Sequence, residues 1–149
     1  VYSIDEVWDA VIAALKGSDL DDLCAVIDSY GGVVDDIVEE ASKGSLITAQ
    51  LPAIYVLYGG SRFPEKLTAS SYDDQQTYSA ITIAKDLRGR KEMRAGMSPL
   101  LELEKEVLIH NDLGLEIEPL IPVSILPIWI SKTVFIFGFD LMTFFSIEK

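Results

Sequence analysis

The residues in this chain that could carry chemistry are few. His110 is the only histidine. It follows a Leu-rich segment and precedes Asn111 and Asp112, a position where a cation is favourable for structural reasons alone if a helix ends there. Cys24, the only cysteine, sits in an apolar run with acidic neighbours, the opposite of the electropositive setting that produces a thiolate. A single cysteine also excludes an internal disulfide and any CxxC metal or redox motif. Gly59-Gly60-Ser61-Arg62 lacks the Lys-Ser/Thr ending and the strand-to-helix context of a phosphate-binding loop, so it is expected to be a turn. No catalytic, cofactor-binding or metal-binding set emerges.

Charged residues are more informative. Asp35, Asp36, Glu39 and Glu40 fall at i, i+4 spacing on one predicted helix face, where like charges repel mildly unless something answers them. They are either a solvated face or the seat for a basic patch on a neighbouring subunit. Glu102, Glu104 and Glu106 alternate along a predicted helix and therefore spread around it, which gives no metal cage. Lys85, Arg88, Arg90, Lys91 and Arg94 place five of the 12 bases within ten positions. That cluster is either a solvated connection or a docking surface for an acidic partner, and the most acidic surface at hand is another copy of the same chain.

The elements that must position these residues can be read from capping signals and periodicity. Ser3 and Glu6 match a capping box, and Val7, Trp8, Val11, Ile12 and Leu15 recur at helical spacing up to Gly17. Leu23 to Ile27 is continuous, apolar and partly β-branched, which predicts a strand. Val33, Val34, Ile37, Val38 and Ala41 predict a second amphipathic helix ending near Gly44. Pro52 introduces a strand over 53–58, and 61–76 predicts a long mobile loop or an extended hairpin. From Tyr78 to Ala84 the alternation puts Tyr78, Ala80, Thr82 and Ala84 on one face and Ser79, Ile81 and Ile83 on the other. Ser98-Pro99 predicts an N-cap with proline at the first helical position, and Thr133 to Phe145 predicts a terminal strand paired with the proline-interrupted stretch before it. Helix, strand, helix, two strands, helix, two strands predicts an α+β fold: a mostly antiparallel sheet of four to five strands with two to three helices on one face.

The chain has 149 residues, the usual size of one domain, and one domain over 1–149 is expected. Lys plus Arg number 12 against 24 Asp plus Glu, for a net charge of -12, so general nucleic-acid or anionic-membrane binding is excluded. The acids are unevenly placed, with 11 of them and one lysine in residues 1–42. The first residues do not read as a signal peptide, and the longest charge-free apolar run, Pro119 to Ser131, is too short and too broken by proline to span a bilayer.

Three segments resemble the tail terminator proteins of Mu-like phages and prophages: Ile27-Asp28-Ser29-Tyr30-Gly31-Gly32, the run Leu51-Pro52-Ala53-Ile54-Tyr55-Val56-Leu57-Tyr58-Gly59-Gly60, and Ile81-Thr82-Ile83-Ala84-Lys85-Asp86-Leu87-Arg88-Gly89-Arg90. Arg94-Ala95-Gly96, a Leu-rich helix and an aromatic terminal strand follow in the same order. The stretch from Pro119 to Pro127 departs from the family's pattern. The resemblance implies a virion protein, assembled in the host cytoplasm, that forms a homohexameric ring at the head-proximal end of the tail. Its implied partners are itself, the tail tube protein, a neck or head-completion protein and a sheath where the tail has one, with DNA passing through the ring without specific binding. It implies no catalysis, cofactor or membrane. Lys85, Arg88, Arg90, Lys91 and Arg94 against Asp35, Asp36, Glu39 and Glu40 are the expected subunit interface. A neck adaptor ring is the alternative, and a small carboxylate-dependent enzyme is a third reading from a different class.

Overall fold

The computed structural model describes residues 2–44, 50–63, 71–86, 89 and 92–148. Ser3 caps α1 (Ile4–Lys16) as the sequence predicts: its hydroxyl accepts from the Glu6 amide at 3.1 Å, and the Glu6 carboxylate accepts from the Ser3 amide at 3.3 Å. Two of the orphan donors of the first turn are thereby satisfied. Ser3→Ala is expected to lower stability by about 1 kcal/mol, read as a lower urea midpoint at unchanged slope.

The run predicted as a strand at 23–27 is instead split. A one-turn helix, α2 (Leu20–Leu23), buries Leu20, and β1 (Val26–Ser29) begins after Ala25. The amide of Cys24 bonding back to the Leu20 carbonyl at 2.9 Å keeps the first half of that apolar run helical. Then come α3 (Val34–Ser42), β2 (Ala53–Arg62), β3 (Ser71–Lys85), α4 (Met93–Leu108), β4 (Ile121–Ile130) and β5 (Val134–Glu148). The five strands form one sheet in the order β1-β2-β3-β5-β4. Only β1 and β2 run parallel, so α3 is their crossover and the remaining pairs are antiparallel. The fold is α+β with a mostly antiparallel sheet, as expected.

Helices occupy both faces, where a single covered face was expected. α1, α2 and α4 bury Val7, Val11, Leu15, Leu20, Met97, Leu100 and Leu108 against Ile54, Val56, Tyr78, Ala80, Phe135, Phe139 and Leu141. On the other face α3 buries Ile37 against Ala53, Leu57, Ile81, Ile83 and Ile136. The physical reason is the parallel pair: β1 cannot reach β2 by a tight turn, and the crossover helix lies over the sheet. With both faces covered, the centre of β3 reads as a near-continuous apolar run, and its two predicted rows separate as the alternation required.

Ser98 is not an N-cap. α4 begins five residues earlier at Met93, which leaves Pro99 inside the helix at its second turn, where its missing amide forgoes one backbone bond. Residues 61–62 and 71–76, expected as a loop or an extended hairpin, are paired strand, with Ser61 opposite Gln76 and Arg62 opposite Gln75. Phe63 is exposed beyond the end of β2, and residues 64–70 lie outside the described residues. The terminal pair turns at 131–133, where the Ser131 amide donates to the Val134 carbonyl at 2.9 Å. Pro122 and Pro127 lie in β4, an edge strand where a missing amide costs least, and a register shift follows each of them.

Candidate functional site

The charged residues expected at an interface divide between the two sides of the sheet. Lys85 ends β3, and Arg94 is exposed in the first turn of α4. The start of α4 passes close to the end of β3, since the space beside Gly96 lies 3.9 Å from the Lys85 carbonyl. Lys132 is exposed at the β4–β5 turn at the same end, where the Asp86 amide donates to the Thr133 carbonyl at 2.9 Å. Arg88, Arg90 and Lys91 lie outside the described residues. The acids Asp35, Asp36, Glu39 and Glu40 sit on α3, across the sheet from α4, so one chain does not bring the two sets together. Asp36 is partly occupied as a cap, accepting from the Val33 amide at 3.1 Å, and Glu39 pairs with Lys43 at 2.7 Å.

The covering by α3 is incomplete. Beyond Ile37 the same face of the sheet stays open as a groove of about 440 Å³ between Val33 and Val34 at the start of α3 and Leu126 and Ile128 on β4. Register explains its shape. Across the sheet, Leu57, Ser79, Asp140 and Ser124 form one row, and Ile81, Gly138 and Leu126 form the next. Gly138 leaves room here for the Ile128 side chain, whose tip leans to within 2.8 Å of where a Cβ would stand. On the floor, Asp140 accepts from the Ser79 hydroxyl at 2.5 Å and from Ser124 at 3.4 Å. Its rim is apolar and exposed, with Val33 at 61% and Leu126 at 59%.

Two carboxylates that matter were not singled out by composition. Asp140 is the only charged residue between Lys132 and Glu148, and that isolation within an aromatic strand was its signal. Glu104 is fully buried beneath α4, with the Thr82 hydroxyl 2.9 and 2.8 Å from its two carboxyl oxygens. Its signal was register, since Met97, Leu100, Glu104 and Leu108 form one stripe at helical spacing. Burial pushes the Glu104 carboxyl up to about 8, with the Thr82 hydrogen bond opposing the rise. A third group, Asp74, bonds Gln76 at 3.0 Å, and Gln76 in turn accepts from Tyr78 at 2.7 Å. The other oxygen of Asp74 is buried without a hydrogen-bond partner.

Neither reactive side chain sits in catalytic surroundings. His110 is exposed just beyond α4 with φ 61°, and its amide donates to the Leu120 carbonyl at 2.9 Å, a backbone role at the helix end. The Cys24 thiol is pushed up to about 11, first by burial, then by Glu104 and Asp21, so it is held as a thiol. Among the described residues no three His, Cys, Asp or Glu side chains are grouped to hold a metal ion, and no helix is long and apolar enough to cross a membrane.

No curated protein matches the chain. The family model described as Bacteriophage Mu, Gp37 matches residues 3–135, from the N-cap of α1 to the second residue of β5. With every element except most of β5 inside that match, the chain belongs to the Bacteriophage Mu, Gp37 family.

Proposed function

We propose that this phage protein is a structural virion subunit, a tail terminator that closes into a hexameric ring on the head-proximal end of the tail tube. In that role it stops tube polymerisation and offers the surface to which the neck and head attach. The observation that carries the reading is the division of the surface. An apolar groove with a carboxylate floor opens on one side of the sheet, and Arg94 lies exposed on the other. A closed ring needs two different, complementary patches of this kind on each subunit. Membership of the Bacteriophage Mu, Gp37 family supports the reading of a phage structural protein.

The charge of -12 suits a conduit, because an acidic wall repels the phosphates of DNA passing through it. The end of the β2–β3 pair, at Arg62 and Gln75, is the part proposed to meet the tube or the neck. Negative-stain microscopy of the purified protein, alone and mixed with tail tubes, tests the proposal. Six-fold rings seated at one tube end are the expected result. Tubes of unregulated length with bare ends overturn it, and rings found only on the head-side connector assign the protein to the neck instead.

A further inference from the structure

We propose that the groove between α3 and β4 is the seat for the basic end of a second copy of this chain. This rests on the ring reading above and names the surfaces that build the ring. The groove asks for an occupant with an apolar body and a positive tip. Its walls are Val33, Leu57, Ile81, Leu126 and Ile128, and Asp140 lies on its floor. The Asp140 carboxylate is oriented by two serine hydroxyls, and among the described residues no base pairs with it. Asp35 and Asp36, beside Val33 and Val34, add negative charge at one side of the mouth.

The chain carries its own complement. Arg94 and Lys132 are exposed at the end of the sheet where β3 passes into α4, and neither has an ion-pair partner among the described residues. Lys85 ends β3 at the same place, and Ile130, 38% exposed, supplies an apolar surface beside Lys132. By contrast, Lys43 and Lys105 are already paired with Glu39 and Glu102 within their own helices. In so acidic a chain, the exposed Arg94 and Lys132 are the charges that complement the groove.

Geometry makes the contact heterologous. Arg94 lies on the α4 side of the sheet and the groove opens on the α3 side, so a subunit cannot fill its own groove. Groove-to-end contacts repeated around an axis close into a ring.

The test uses two variants of the full chain. Leu126→Lys puts a positive charge on the exposed groove rim, where it repels the incoming bases, and Arg94→Glu with Lys132→Glu reverses the basic end; all three positions are exposed, so circular dichroism is expected to show native folds. By native mass spectrometry the wild type is expected to form a closed oligomer and each variant to remain monomeric. An equal mixture of the two variants retains one intact groove and one intact end per pair. It is therefore expected to stop at a heterodimer. Either variant keeping the wild-type mass overturns the groove contact while leaving the tail terminator reading in place, as does a mixture that rebuilds the full ring. Rings that depend on the groove but fail to cap tubes would overturn the terminator reading and leave the groove contact standing. A wild type that stays monomeric overturns the groove contact and self-assembly together.

Discussion

Glu104→Gln is expected to match the wild type closely at pH 5 and to exceed it by about 4 kcal/mol at pH 9, in urea titrations run at each pH. The Thr82 hydroxyl contacts both carboxyl oxygens but carries one proton. Both contacts are hydrogen bonds only when Glu104 is protonated and donates one of them. Burial raises its pKa from 4.5 to about 8. In the unfolded chain the carboxyl ionises near its ordinary value, so between about pH 4.5 and 8 the folded protein holds a proton that the unfolded chain has released. Stability from this group is therefore complete below pH 4.5, declines as pH rises and is lost once pH passes 8. Glutamine keeps the shape and the Thr82 bond and removes the titration. Parallel pH profiles for the two proteins would show that Glu104 is not buried as described. Cys24, which feels the Glu104 charge, stays a thiol throughout this range and does not supply the difference.

Phe139→Ala is expected to lower stability by about 3–5 kcal/mol, equivalent to roughly 10 °C in the melting temperature of a chain this size. Phe139 is fully buried, paired across the sheet with Ala80 of β3 and Ile125 of β4 beneath the α1–α4 layer. Its neighbours are held by backbone register on both sides, so they cannot collapse into the space left behind. Leu126→Ala, which changes a side chain 59% exposed on the opposite face, is the control and is expected to stay within about 0.5 kcal/mol. Equal losses at the two positions would mean that the groove rim is packed as tightly as the core.

What the amino-acid pattern revealed depended on whether the deciding interaction was local. The Ser3–Glu6 box, the two rows of β3 and the turn at Ser131 are set within a few residues, and all three were legible. Ser98-Pro99 misled because the pair is the ordinary signal for a helix start, whereas here Pro99 stands in the second turn of a helix that begins at Met93 and forgoes one backbone bond there. α2 was hidden because an apolar run of five residues fits a strand or a helix equally well. The placement of α3 on its own face followed from a parallel pairing 27 residues apart, Val26 with Ala53, which no local pattern reports. Of the residues expected at an interface, Asp35 and Asp36 only follow the lining residues Val33 and Val34 in sequence, whereas the groove's central carboxylate, Asp140, is visible only once Ser79 and Ser124 are known to be its cross-strand neighbours.

The prolines of β4 have a meaning beyond their lost hydrogen bonds. β4 is the long free edge of the sheet, because the opposite edge, β1, has only four residues. An uninterrupted ten-residue edge bearing Val123, Leu126, Ile128 and Ile130 would be a template for open-ended strand stacking, and unassembled subunits would drain into fibres. Pro122 and Pro127, with the bulge that follows each, deny a stacking partner its regular ladder. The apolar surface around them thus stays usable for face-to-face contact without making the free protein prone to aggregation.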